Sequence, residues 1–316
     1  MKGCILKRLL IALGCFSLTT YPILDNWIVS VIPNFFLYFG PFYIIGLVII
    51  VKCKQLFSTG CRVILATTYL SLLIYQGNFL YPFFPNNTVQ AATPLYPDYS
   101  LLYMNIWKPN TSYDEVRQLI SENNPDFLAV VELSAKWDSE LSVQSTHPFR
   151  IMHLRQDCFG IGLYSKYPIV EIEDTELKRL PIPVIRAQAT LPSGKQLEII
   201  ALHLLPPLGD ESLRVNDEIY NAISSELEEV KTPLILLGDF NATPNSVRFN
   251  RFVERNGLSH SMWGRGLFST WTGRSKFLRL TIDHILMRSN VEISEIGVQR
   301  DIGSDHLPIG ARFSVF

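Results

Sequence analysis

Five groups of polar side chains stand at the ends of apolar runs: Asn105, Glu132, His203, Asp239 with Asn241, and Asp283 with the Ser304-Asp305-His306 trio. Carboxylates, amides and imidazoles of this kind hold hard cations, activate water and stabilise anionic transition states. Each group alone has a plainer reading, because an acid at a strand end is more often a cap or a surface residue. The sharpest local signal is Leu234-Ile235-Leu236-Leu237-Gly238-Asp239-Phe240-Asn241. Four aliphatic residues make a buried strand, Gly238 permits a close backbone approach, and Asp239 and Asn241 emerge in the following turn. An Asx-turn leading into a helix after Asn245 is the competing reading, although polar groups behind a buried strand are costly unless paired. His203 ends the run Ile199–Leu202, and Pro206-Pro207 after it make either a rigid support for an imidazole or a surface loop. In Asp305-His306 adjacent side chains point differently, so one can meet a metal or orient an imidazole while the other reaches substrate. A terminal turn capped by Ser304 and Asp305 is the alternative.

The elements that must position these groups are mostly strands. Apolar runs predict strands at Leu101–Trp107, Phe127–Val131, Gly160–Tyr164, Ile185–Thr190, Gln196–Leu202, Leu234–Leu237, Thr281–Met287 and Ile309–Val315, with a hairpin turn at Pro192-Ser193-Gly194. Three helices intervene. Ser112 and Glu115 have capping-box spacing before Val116, Leu119 and Ile120, and Pro125 stops that helix. Leu213–Glu229 carries Ile219, Ile223 and Leu227 on one stripe, and Asn245–Asn256 carries Phe249, Phe252 and Val253, closed by Gly257. Interspersed helices and many strands favour an α/β or α+β sandwich over a helical bundle.

The front of the 316-residue chain is different. Residues 1–82 contain six basic residues and one acid, Asp25, leaving 22 basic and 28 acidic residues for the rest, a formal charge of −6. That division excludes a wholly soluble protein, and argues against a disordered chain and against a dedicated binder of long nucleic acid. Three apolar stretches, about 9–24, 27–51 and 63–81, are expected transmembrane helices; Pro33 and Pro41 are points where the second could kink or break. The first could instead be a signal peptide, since it is short and follows Lys2, Lys7 and Arg8, but no convincing cleavage site precedes Tyr21-Pro22. Lys2, Lys7 and Arg8, then Lys52, Lys54 and Arg62, predict a multi-pass protein of the inner or cytoplasmic membrane with the following domain on the periplasmic or extracellular side. Trp27, Tyr75 and Tyr81 are expected interfacial anchors. Residues 83–98, with Pro85, Pro94 and Pro97, read as a linker, and 99–316 as one catalytic domain. Cys158 is alone in that domain, so its fold must stand on its core.

In order along the chain, Glu132, Gly160-Ile161-Gly162-Leu163-Tyr164-Ser165, His203, Gly238-Asp239-Phe240-Asn241, Ile282-Asp283-His284-Ile285 and Gly303-Ser304-Asp305-His306-Leu307-Pro308 closely resemble the endonuclease/exonuclease/phosphatase (DNase-I-like) superfamily. The resemblance covers about residues 100–316. It implies a four-layered α/β/β/α sandwich and hydrolysis of a phosphoester with Mg²⁺, Mn²⁺ being an alternative. It implies metal ligands at Asn105, Glu132 and Asp305, a water-activating base at Asp239 with Asn241 positioning water and phosphate, and paired imidazoles at His203 and His306. Asp283 would orient His203, and Asp305 would pair with His306 or reach the metal. Arg186 is either a phosphate contact or a structural arginine. Trp271, with Phe268, Thr272, Arg274, Lys276 and Arg279, forms either a substrate wall or a solvated turn around a core tryptophan; His284 is expected to support the loop beside Asp283. Expected partners are the lipid bilayer and a phosphoester: a nuclease or phosphodiesterase substrate first, a lipid headgroup or small phosphomonoester otherwise, with no protein partner. A non-catalytic, membrane-tethered binding module is the reading outside enzymes.

Overall fold

The computed structural model describes residues 2–18, 30–85, 98–273, 275, 277–288 and 290–316, apart from the side chains of 2–4 and 15–18. Trp27, most of the expected linker, Arg274 and Lys276 lie outside these residues. At the front, α1 (Lys2–Leu18) starts earlier than the apolar run alone predicts. A 3₁₀ stretch (Ile32–Phe39) leads into α2 (Gly40–Lys52), and α3 covers Thr59–Leu80. Each proline sits in a first turn, Pro33 opening the 3₁₀ stretch and Pro41 opening α2, where the missing N–H breaks no bond. The expected second span is therefore two helical pieces end to end. Two stretches, Ile32–Lys52 and Thr59–Phe83, are long and apolar enough to cross a membrane by length and composition; α1, with 17 residues, is shorter. These helices pack around Tyr43 and Tyr69, with the Tyr69 hydroxyl donating to Leu10 O at 2.8 Å and Gln76 Nε2 to Phe36 O at 2.8 Å. Their outer faces expose Phe42, Ile44, Ile45, Val48, Val63 and Ile64.

From Asp98 onward the chain makes two six-stranded sheets. The first has the order β11-β12-β1-β2-β4-β3, formed by β1 (Asp98–Asn105), β2 (Phe127–Val131), β3 (Phe149–His153), β4 (Ile161–Ser165), β11 (Val291–Val298) and β12 (Ile309–Val315). The second has the order β5-β6-β7-β8-β10-β9, formed by β5 (Ile169–Glu171), β6 (Ile185–Thr190), β7 (Gln196–His203), β8 (Leu234–Asp239), β9 (Ser259–His260) and β10 (Asp283–Arg288). Side-chain alternation assembles the layers. Leu101, Tyr103, Ala129 and Leu163 of one sheet meet Ala187, Ile199, Ala201 and Leu237 of the other in a single core. On the outer side of the first sheet, Leu102, Met104 and Leu128 pack under α4 (Tyr113–Asn123) and α5 (Ala135–Leu141). A short α6 (Thr175–Lys178), α7 (Asp210–Glu229) and α8 (Val247–Arg255) bury Leu177, Ile219, Ile223, Phe249 and Phe252 against Ile200, Leu202 and Leu236 of the second. The result is the expected α/β/β/α sandwich, and strands covered on both faces account for the unbroken apolar runs.

Each sheet contains one parallel pair, β1 with β2 and β7 with β8; the other pairings are antiparallel. Parallel strands end on the same edge, so Asn105 pairs with Val131 just before Glu132, and His203 lies opposite Asp239. Antiparallel β10 begins there too, Asp283 opposite Asp239. The hairpin at residues 192–194 forms as expected, with Gly194 at positive φ. The capping box does not: Ser112 makes no side-chain cap, and its N–H donates to Asn110 Oδ1 at 2.9 Å. Nor does the connection start as free linker at residue 83, because Phe83 is buried in the inter-sheet core and Pro82 O accepts Gly264 N–H at 2.8 Å.

Gly238 has φ of 149°, and a Cβ there would lie 2.0 Å from Leu202 O on the neighbouring strand. Gly238→Ala is expected to cost about 2 kcal/mol or more and to lower the Tm of the full chain by roughly 5 °C, read by thermal denaturation.

Candidate active site

The common edge of the two sheets gathers the sequence-singled residues. Glu132, His203, Asp239, Asn241, Trp271, Asp305 and His306 all line one cavity of about 570 Å³. Asp239, buried at the end of β8, is held from both sides: Oδ1 accepts the Asn241 N–H at 2.8 Å and Oδ2 accepts Asn105 Nδ2 from the opposite sheet at 3.2 Å. The same Oδ2 lies 3.5 Å from His203 Nε2 and 3.6 Å from His306 Nε2. Asn241 and Glu132 have left-handed backbones, φ 48° and 63°, a cost of the kind that gathers at functional sites. The Asn241 amide donates to Leu204 O at 2.8 Å, tying the turn after β8 to the exit of β7.

Asp283 is fully buried and its partner is not the one expected. Its Oδ2 bonds His306 Nδ1 at 2.8 Å, while Oδ1 accepts the Tyr103 hydroxyl from the other sheet at 2.9 Å. The carboxylate that orients an imidazole therefore serves His306 instead of His203, because β10 begins beside the loop that brings His306 in. Asp305 makes no hydrogen bond to His306: Oδ2 accepts Trp271 Nε1 at 3.2 Å, and Oδ1 is buried without a hydrogen-bond partner, which leaves the metal-reaching alternative. The Ser304 hydroxyl bonds to Asn105 O at 2.8 Å and accepts His306 N–H at 3.1 Å, so this loop is anchored on β1.

Burial and charge divide the protons. For His306 burial opposes the charge, but Asp283 and Asp239 outweigh it and carry the pKa up to about 10. His203 goes the other way, down to about 4, through burial and then repulsion from His306. Asp239 is pushed above the ordinary carboxylate range by burial and by Asp283; Asp283 stays below it because the imidazolium and its hydrogen bonds overcome burial. The site thus holds one charged and one neutral imidazole at neutral pH.

Glu132 Oε2 accepts Lys108 N–H at 2.7 Å, and its pKa is raised by burial first, with Asp305 adding repulsion. Glu132 and Asp305 bring hard carboxylate oxygens to the cavity, one of them the orphaned Asp305 Oδ1, which suits a divalent cation, whereas Asn105 Oδ1 already accepts the Trp107 N–H at 2.9 Å. Asp239, Asp283 and His306 also bring ligand atoms within 4.8 Å of one another. There, however, Asp283 Oδ2 and His306 Nδ1 already satisfy each other, and a protonated imidazole offers no lone pair.

Trp271 joins the cavity wall through its bond to Asp305 and its strand-like bridges to Leu280 and His306. Arg186 does not join it. The guanidinium is held by Glu198 and Glu226, so it is a structural arginine. His284 is buried, stacked on Phe249, and bonds Ala242 O at 2.8 Å, supporting the turn after β8 as expected. Sequence reasoning missed Tyr103, because the inward position of a strand tyrosine is not distinguishable from core packing; Lys108 and Phe159, which also line the cavity, carried no pattern.

The sequence profile described as "Endonuclease/Exonuclease/phosphatase family" matches residues 102–306. No curated protein sequence matches the chain. Among solved structures, an endonuclease/exonuclease/phosphatase from Bacteroides vulgatus has TM-score 0.56 at 16% identity, covering 70% of this chain and 100% of that one. A 3′ phosphatase from Neisseria, bound to a product DNA hairpin, has TM-score 0.55 at 18% identity, covering 67% and 98%. A mannosyl-6-phosphatase of Bacteroides thetaiotaomicron has TM-score 0.54 at 17% identity, covering 69% and 100%. At these identities the likeness shows the fold.

Asp283→Asn removes the largest charge that favours protonated His306. The imidazole pKa is expected to fall from about 10 by at least roughly one unit, followed by NMR titration of ¹³C-labelled histidine.

Proposed function

Because the chain belongs to the endonuclease/exonuclease/phosphatase family, we propose that it is a membrane-anchored, divalent-metal-dependent phosphoesterase, a hydrolase of the nuclease and phosphodiesterase type. The observation that carries the reading is the convergence of three carboxylates (Glu132, Asp239 and Asp305), the Asn241 amide and two oppositely tuned imidazoles on one cavity. The relatives in fold include proteins named for phosphoester hydrolysis on DNA and on a sugar phosphate. Residues 1–82 form the membrane region, 83–98 the connection and 99–316 the catalytic part.

A cation such as Mg²⁺, or Mn²⁺, held by Glu132, Asn105 and Asp305, would neutralise charge on phosphoryl and leaving-group oxygens. Asp239 accepts the proton of the attacking water, its two oxygens fixed by Asn105 and the Asn241 N–H. The Asn241 side chain, donating to Leu204 O, sets the turn and lines the cavity, where its remaining amide groups position water and phosphate. His306, kept charged and immobile by Asp283, stabilises the negative charge that builds on the phosphorane oxygens. His203, neutral through burial, adds a hydrogen bond without repelling His306. Trp271 walls the site and steers Asp305.

Membrane anchoring is supported by the two membrane-length helices and their exposed apolar faces. The charge arrangement supports an orientation. Lys52, Lys54 and Arg62 cluster around the α2–α3 connection, and Lys7 Nζ sits 5.6 Å over the Phe57 ring there. The opposite ends, at Asn34 and Pro82, bond to the catalytic part. With basic residues on the cytoplasmic face, residues 99–316 lie on the periplasmic or extracellular side.

With bis-4-nitrophenyl phosphate and the full chain in detergent, EDTA is expected to abolish turnover and Mg²⁺ or Mn²⁺ to restore it. Asp239→Asn is expected to lose at least roughly 100-fold in kcat with Tm preserved; undiminished kcat would remove Asp239 as the base. The pH profile should be a bell. Turnover rises as Asp239 ionises, above the ordinary carboxylate range, and falls as His306 loses its proton near 10. A C-terminal reporter active only outside the cytoplasm tests the orientation separately.

A further inference from the structure

Residues 99–316 do not build the catalytic cavity alone. Val31, Asn34 and Phe35, from the segment that opens the first membrane-length helix, line it together with Glu132, Asp239 and His306. The segment is bolted to the turn after β8. Asn34 Oδ1 accepts the Thr243 N–H at 2.9 Å and the Thr243 hydroxyl at 3.0 Å, and Pro33 O accepts Asn245 Nδ2 at 3.2 Å. One turn on, Arg279 N–H donates to the Tyr38 hydroxyl at 2.5 Å, which donates to Arg279 O at 2.9 Å. Thr243 lies four residues after Asp239, so the wall and the water-activating carboxylate share one support.

The cavity's character follows from this wall. Leu208, 68% exposed at its margin, and Leu280 and Ile282 add apolar surface to Val31 and Phe35. Among the described lining residues the only lysine or arginine is Lys108, whose ammonium bonds the Gln156 carbonyl. A cleft for a polyanionic strand would carry several free cations along its length. The catalytic part as a whole is acidic, at −5 for residues 99–316. Asn34 is the third residue of the Ile32–Lys52 stretch, so the reacting centre lies beside the first turn of a membrane-length helix, which under the membrane-anchored reading above is the level of lipid headgroups.

We infer that the substrate is an amphiphilic phosphodiester resident in the bilayer, with its phosphate among Asp239, His306 and Glu132 and its apolar part against Val31, Phe35 and Leu208. This rests on the phosphoesterase reading above. Water's oxygen bonds phosphorus, one P–O ester bond breaks, the water's proton passes to Asp239, and the leaving oxygen takes a proton from solvent. The products are a phosphomonoester and an alcohol. The alkyl chain stays at the membrane end of the cavity.

The test uses the full chain in mixed micelles with Mg²⁺ and two esters sharing one leaving group, hexadecyl 4-nitrophenyl phosphate and methyl 4-nitrophenyl phosphate. A single-stranded oligonucleotide is the third substrate. At roughly fourfold per buried methylene, three or four methylenes against the wall make kcat/KM for the hexadecyl ester about 100-fold higher. Partition into micelles also favours the long chain, so the deciding quantity is the ratio of the two esters in variants. In Phe35→Ser and Leu208→Ser that ratio is expected to fall about 10-fold. Leu208 is exposed enough that its replacement leaves packing intact. An unchanged ratio in both variants, or a kcat/KM for the oligonucleotide above that of either ester, would overturn the inference and leave the phosphoesterase intact. Hydrolysis of none of the three would overturn both.

Discussion

Two fully buried carboxylates face each other across the ends of β8 and β10, and the site exists because one imidazolium lies between them. Removing a carboxylate from water costs several kcal/mol even after relaxation, and two such groups side by side repel as well. Asp283 escapes the penalty through His306 and the Tyr103 hydroxyl. Asp239 is left with amide donors and a high proton affinity. That inequality makes one acid an anchor and the other a base. Because Tyr103 and Asn105 come from the opposite sheet, the same bonds close the sandwich at its functional edge.

The parallel pair in each sheet is the geometric half of the arrangement. Four strand ends emerging on one edge bring Asn105, Glu132, His203 and Asp239 together without long loops, and only the His306 loop needs separate anchoring through Ser304. Short connections from buried strands allow little motion, which suits a mechanism that depends on fixed dipoles.

The strands buried on both faces were readable because a short, unbroken aliphatic run between turn residues suits little besides a strand covered on two sides. So were the residues at their ends, since a polar group directly after such a run is conspicuous. Elements without that contrast were not. β3 has only Ile151 fully inward, and α5 spans seven residues. β11 alternates but is interrupted by a bulge near Ser294, which breaks the period. Pairings across the site were illegible for a separate reason: whether Asp283 meets His203 or His306 depends on how the last loop folds over the edge, and no local spacing encodes that. Arg186 looked available because the acids that neutralise it, Glu198 and Glu226, come from a neighbouring strand and a helix distant in sequence.

The bolt between Asn34 and the Thr243 turn bears on how this molecule can be handled. Excising the front of the chain would strand the Thr243 N–H, the Asn245 amide and the Gly264 N–H without their acceptors, and open the Phe83 socket between the sheets to water. What remained would keep every reacting group yet lose the floor beneath the turn that aims one of them. The part that reads as a self-sufficient hydrolase is, in its architecture, the larger share of a single indivisible body.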